Sequence, residues 1–218
     1  MSPQAESKGD GMKQVITEAI GSFFWVFAVI GAISQGSPLA AFAIGGVVVA
    51  AIYAGVHLSG AHYNPAVSIA AFVRGQLSGA DLPAYIGAQL AGASLASLLG
   101  TWVFRVGATH PQAWSGRTLI TAIVVELLFT FFLAFVALNV ASSENDAFYG
   151  LAVGGVVTVG TLLVTMQTGA AFNPAVALGA TFAQLSAWAN LWAYVVAQLT
   201  GGVLAGVVVK ALNAADAD

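Results

Sequence analysis

Nine residues, Ser59-Gly60-Ala61-His62-Tyr63-Asn64-Pro65-Ala66-Val67, return 109 positions later as Thr168-Gly169-Ala170-Ala171-Phe172-Asn173-Pro174-Ala175-Val176. Asparagine is a favoured N-cap and proline suits the first helical position, so each Asn-Pro-Ala reads as a helix start. Each copy follows a long apolar run and opens a much shorter one, Pro65–Val73 and Pro174–Ala183. Irregular backbone at membrane depth survives only where it is buried or lines a cavity. Two short helices beginning there would present unpaired N–H groups and positive dipole ends to whatever passes.

Composition supplies the membrane. Of the 218 residues 59% are hydrophobic and 7% charged, and mean hydropathy is +0.88; soluble domains carry about 25% charged residues. At about 20 residues per span, six long segments emerge: Gln14–Ile33, Pro38–Val56, Leu82–Phe104, Leu119–Val140, Ala147–Met166 and Ala187–Lys210. The fold class expected is an all-α membrane protein with six transmembrane helices and two re-entrant half-helices. A polar N-terminal tail (1–13), without the basic start or cleavage site of a signal peptide, precedes one domain (14–210), and a short tail (211–218) follows.

The duplication extends through the domain, repeat one covering about 14–105 and repeat two about 118–210. Glu18 recurs as Glu126, each followed by a Phe-Phe pair, Phe23-Phe24 and Phe131-Phe132; Gln89 recurs as Gln198. Three spans per half is an odd number, which turns the second half upside down and makes this an inverted 3+3 repeat. Paired short segments in inverted halves point to a transport site. Pairs four residues apart, Gly92 with Ala96, Gly150 with Gly154 and Gly202 with Gly206, suit close helix packing. Lys8, Lys13, Arg74 and Lys210 fall on one side and Arg105 and Arg117 on the other. Basic residues favour the cytoplasmic side, which puts both termini there. The acidic loop Ser142–Asp146 adds nothing to that balance.

Several function classes are excluded. Six scattered basic residues and a net charge of -3 make no nucleic-acid surface. No cysteine is present, His57 and His110 have no partners in spacing, and neither a His-Glu-x-x-His nor a Gly-x-Ser-x-Gly occurs. No metal, cofactor or enzymatic activity is expected.

With these motifs assembled, the chain resembles the aquaporin and glycerol-facilitator family over nearly all of residues 14–210. The two Asn-Pro-Ala triplets, the Ser59-Gly60-Ala61-His62 that precedes the first and the Gly179 after the second carry the resemblance. It implies a homotetramer in the lipid bilayer, with a narrow pore in each subunit passing water and small neutral solutes. Asn64 and Asn173 would meet mid-membrane, with Pro65, Ala66, Pro174 and Ala175 starting the half-helices back to back. Backbone carbonyls of His57–Tyr63 and Thr168–Phe172 would accept from the solute. Glu18 and Glu126 would brace the loops, and His62 would do the same. A proton relay through the two glutamates is the rival reading.

The sequence departs from the family at its outer filter. Counting from the two asparagines gives Ile44, Thr161, Ala170 and Val176; the family usually carries an aromatic at the first, His or Gly at the second, and Arg at the last. Ala177 stands where glycerol facilitators carry Asp, and Leu178 where Phe is common. Losing a fixed cation and its donors predicts a wider, more apolar ring that admits ammonia, hydrogen peroxide, urea or a small polyol besides water. Two other outcomes are refilling by Phe42, Tyr53, Tyr63 or Phe172, and closure of an apolar ring by dewetting. Other function classes are a coupled secondary transporter and a poorly conducting structural or junctional protein of the same fold. Short loops and tails suit a bacterial inner membrane.

Overall fold

The structure, a computed structural model, describes residues 8–107, 111–141 and 146–214. His110, residues 1–7 and 215–218 of the tails, and residues 142–145 of the acidic loop lie outside the described residues. Eight α-helices follow in order: α1 (Lys8–Ser34), α2 (Ala40–Ser59), α3 (Pro65–Arg74), α4 (Leu82–Val103), α5 (Gly116–Val140), α6 (Tyr149–Thr168), α7 (Pro174–Phe182) and α8 (Leu191–Ala214). Single 3-10 turns precede α6 and α8. Six helices are long and apolar enough to cross a bilayer, α3 and α7 are the short ones, and no strand occurs among the described residues.

Helix limits differ from the sequence reading in two informative ways. The first span begins at Lys8, inside the stretch expected to be a tail. A helix satisfies its own backbone, and Lys, Met and Gln are good helix formers, so it continues past the apolar run; α8 likewise passes Lys210. At the other ends, α2 and α6 run on through Ser59 and Thr168 and stop at Gly60 and Gly169, both left-handed with φ 81° and 84°. Ser-Gly and Thr-Gly are thus glycine-stopped helix ends, not the first residues of loops.

The halves interlock. The first repeat packs α1 on α4 and α2, and the second packs α5 on α8 and α6, in the same pattern. Helices α2 and α6 join the halves, while each half-helix sits on the opposite half, α3 against α8 and α7 against α4 and α1. Glycine sets these distances. A Cβ at Gly92 would lie 2.2 Å from the Ala19 carbonyl oxygen, and one at its repeat mate Gly201 would lie 2.6 Å from that of Leu127. At Gly202 it would lie 2.4 Å from the carbonyl oxygen of Ala66, the third residue of the Asn-Pro-Ala triplet. Leu98, Trp102, Leu163 and Met166 are exposed on the outer surface, an apolar exterior that only lipid can solvate.

Candidate functional site

Each half-helix begins where local chemistry predicts. Asn64 and Asn173 have extended backbones (φ -156° and -158°), and their Oδ1 atoms accept from the N–H of Ala66 and Ala175 at 2.9 Å. Proline at the first position removes an N–H that would otherwise be unpaired. The side-chain amides then cross between the halves. Asn64 Nδ2 donates to the Phe172 carbonyl at 3.0 Å and Asn173 Nδ2 donates to the Tyr63 carbonyl at 2.9 Å. An amide nitrogen carries two N–H groups, so each asparagine keeps one donor beyond its capping and crossing bonds. Both residues are fully buried, at 0% exposure. Pro65 and Pro174 border one apolar cavity of 260 Å³ behind them.

The loops feeding the asparagines hold four non-glycine residues at positive φ in two symmetric pairs, Ala61 (53°) with Ala170 (54°), and Tyr63 with Phe172 (both 49°). Such conformations cost about 1–3 kcal/mol each and persist only when their surroundings fix them. Glu18 and Glu126 fix them. Glu18 accepts from Ser59 Oγ (2.7 Å), His62 N (2.9 Å), Tyr63 N (2.6 Å) and Gln89 Nε2 (2.7 Å). Glu126 accepts from Ala171 N (3.1 Å), Phe172 N (2.8 Å) and Gln198 Nε2 (2.8 Å). The tyrosines Tyr85 and Tyr194 close each loop by donating to the carbonyls of Ser59 and Thr168.

These bonds revise the set of free acceptors. The carbonyls of Tyr63 and Phe172 are taken by the crossed amides, and those of Ser59, Gly60 and Thr168 by tyrosine hydroxyls; His57 and Leu58 lie in the last turn of α2, where carbonyls have no partner within the helix. Among the described residues no backbone N–H reaches the carbonyls of His57, Leu58, Ala61, His62, Gly169, Ala170 or Ala171, so seven acceptors remain of the twelve positions spanned in the sequence reading. The His62 ring pairs through Nδ1 with Ser68 Oγ at 3.1 Å and lies 5.3 Å from the Tyr85 ring. Ser68 Oγ also accepts from Gln89 at 2.9 Å, which ties His62 into the Glu18 network. His57 is exposed on α2.

Two vestibules flank this centre. One, of 650 Å³, is bordered by Gln14, His62, Asp81, Ala137, Ala141 and Tyr149. The other, of 310 Å³, is bordered by Ile33, Trp114, Thr165, Thr168, Ser186 and Tyr194. The four residues expected at the outer filter are all buried: Ile44 is 3% exposed, Thr161 5%, Ala170 9% and Val176 2%. The aromatics considered as fillers are engaged elsewhere. Phe42 and Tyr53 are exposed, the latter donating to Ala147 O at 2.9 Å. The Tyr63 ring is wedged between α1 and α2 at Gly21 and Gly55, and the Phe172 ring between α5 and α6 against Phe129 and Gly160. Helices α2 and α6 pack closely beside Ile44. At Gly45, next to Ile44, a Cβ would sit 2.7 Å from the Gly154 carbonyl oxygen of α6.

Some of this machinery escaped the sequence reading. Tyr85 with Tyr194 and Ser59 with Thr168 share the 109-residue spacing of the asparagines, a signal that would have marked all four as loop braces. A further stretch of chain similarity is consistent with the geometry. The family model described as major intrinsic protein matches residues 5–209. The chain is 33% identical over 205 residues to Aquaporin NIP1-1 of Zea mays, covering 88% of this chain and 72% of that one. It is 34% identical over 220 residues to Glycerol uptake facilitator protein-like 6 of Lactiplantibacillus plantarum, covering 94% and 100%. In fold it is similar to the aquaglyceroporin from Plasmodium falciparum, with a TM-score of 0.77 at 24% identity over 92% of this chain and 96% of that one.

Proposed function

The chain belongs to the major intrinsic protein family, a family of passive channels and not of enzymes, and we propose that it passes water and small uncharged solutes through a conduit in each subunit of a homotetramer. The crossed asparagine amides carry this reading. They hold two helix N-termini tip to tip between two vestibules, leaving one neutral N–H donor on each side and carbonyl acceptors along both approaches. A neutral solute with an oxygen can exchange its hydration for these groups. A cation meets two positive helix ends, each worth about half an elementary charge, and the barrier this makes is of the kind known in such pores. Similarity to a protein named as a glycerol uptake facilitator supports including small polyols among the solutes. Ammonia, hydrogen peroxide and urea are compatible with an apolar filter lacking arginine. Gln14 and Gly75 border the vestibule of His62, which supports a common face for the start of α1 and the end of α3. The basic bias supports a cytoplasmic position for that face, and the short loops suit a bacterial inner membrane.

One observation favours a second reading. Full burial of both asparagines and of the filter suits a member of the fold that conducts poorly, or only after opening. Light scattering from osmotically shocked liposomes separates the two. Water permeability above that of empty vesicles supports the channel, and permeability equal to theirs supports the poorly conducting protein.

A further inference from the structure

The residues expected at the outer filter are buried, and a large side chain facing them would set the free width there. On α1, Glu18, Ser22, Trp25, Val29 and Ile33 recur at helical spacing and share one face. Glu18 holds the first loop at one end of that face, and Ile33 borders the 310 Å³ vestibule at the other. On α5 the same register gives Glu126, Thr130, Leu133, Ala137 and Ala141. Glu126 holds the second loop, and Ala137 and Ala141 border the 650 Å³ vestibule. Both faces therefore run from a loop brace to an open mouth, in opposite directions.

Trp25 and Leu133 occupy the same place on these two faces, seven residues beyond each glutamate, or about 10 Å along the helix. Leu133 is 0% exposed and Trp25 is 3% exposed. Trp25 and Leu133 both belong to the buried apolar core that also contains Ile44, Ala170 and Val176. Inverted symmetry calls for side chains of similar size at the two positions, and an indole in place of an isobutyl group breaks it on the side of the arginine-free filter. Next to Trp25, Val26 is seated against Gly179 of α7, where a Cβ would lie 2.4 Å from its Cγ1, so α1 packs directly on the half-helix there.

Resting on the channel reading above, we propose that Trp25 is the size-determining residue of the outer half of the conduit, its indole filling the space that filter bulk leaves empty. The test is stopped-flow light scattering on liposomes holding wild type, Trp25→Phe, Trp25→Leu, and Trp25→Leu combined with Leu133→Trp. Water permeability rises in the order wild type, Phe, Leu, by several-fold at Leu, where urea uptake also begins; adding Leu133→Trp lowers water flux again. Should Trp25→Leu fail to give a monodisperse protein, Trp25→Phe, which keeps an aromatic filler, carries the comparison. If wild type exceeds empty vesicles while neither Trp25 variant conducts more water than it does, Trp25 does not set the size and the channel reading stands. If wild type and every Trp25 variant match empty vesicles, the channel reading itself is overturned.

Discussion

Asn64 and Asn173 each do three jobs with one side chain. The oxygen caps a half-helix, one N–H locks the opposite loop, and one N–H remains for a solute. Replacing Asn173 by alanine removes the cap, worth about 0.5–2 kcal/mol, and also leaves the Tyr63 carbonyl without its donor. We expect Asn173→Ala to lower the thermal midpoint of the purified protein and to abolish water flux in liposomes. Glu18 gathers four donors, two of them backbone N–H groups of the loop. A glutamine can accept at only one of its two terminal atoms. Glu18→Gln therefore strands at least one buried donor at about 1–3 kcal/mol, with a matching fall in the thermal midpoint. Glu126→Gln strands one in the second half, and its effect should be of similar size.

At the scale of elements, α3 and α7 are too short to be stable alone and exist because the opposite half receives them. The seat of α3 is a glycine face of α8, with Gly202 against Ala66 and Gly206 against Ala70. Gly202→Leu forces α3 off α8, and overpacking of this kind costs about 1–3 kcal/mol. The asparagines move with the helix, so water flux should fall together with the thermal midpoint. Gly155 is the control, since nothing lies within 4 Å of a Cβ there. Gly155→Ala should leave both measurements unchanged.

For the whole molecule, the role of the two intramembrane carboxylates separates channel from coupled transporter. Both accept hydrogen bonds from the loops they hold, which suits braces and not a relay. Flux should then follow the solute gradient alone. Imposing a pH or sodium gradient across proteoliposomes should leave water flux unchanged, and a trapped pH-sensitive dye should report no proton entry above that of empty vesicles. An ion-gradient-driven solute uptake would restore the transporter reading.

Much of this protein was legible in its residues. Apolar run length gave six spans and Asn-Pro gave two helix starts, because run length and capping are local properties of a chain; repetition paired Glu18 with Glu126 and Gln89 with Gln198, and the family resemblance supplied the bracing role of the two glutamates. The state of the filter was not legible. The absence of an arginine and an aromatic predicts a wider ring; the structure adds that all four positions are buried and that two of the candidate fillers, Phe42 and Tyr53, face outward. That outcome depends on how closely α2 approaches α6 at Gly45 and Gly154, and on which face of α1 Trp25 occupies. Residues more than a hundred positions apart set these distances. A one-dimensional pattern can name the wall of a conduit, but its width is a property of the packed helices.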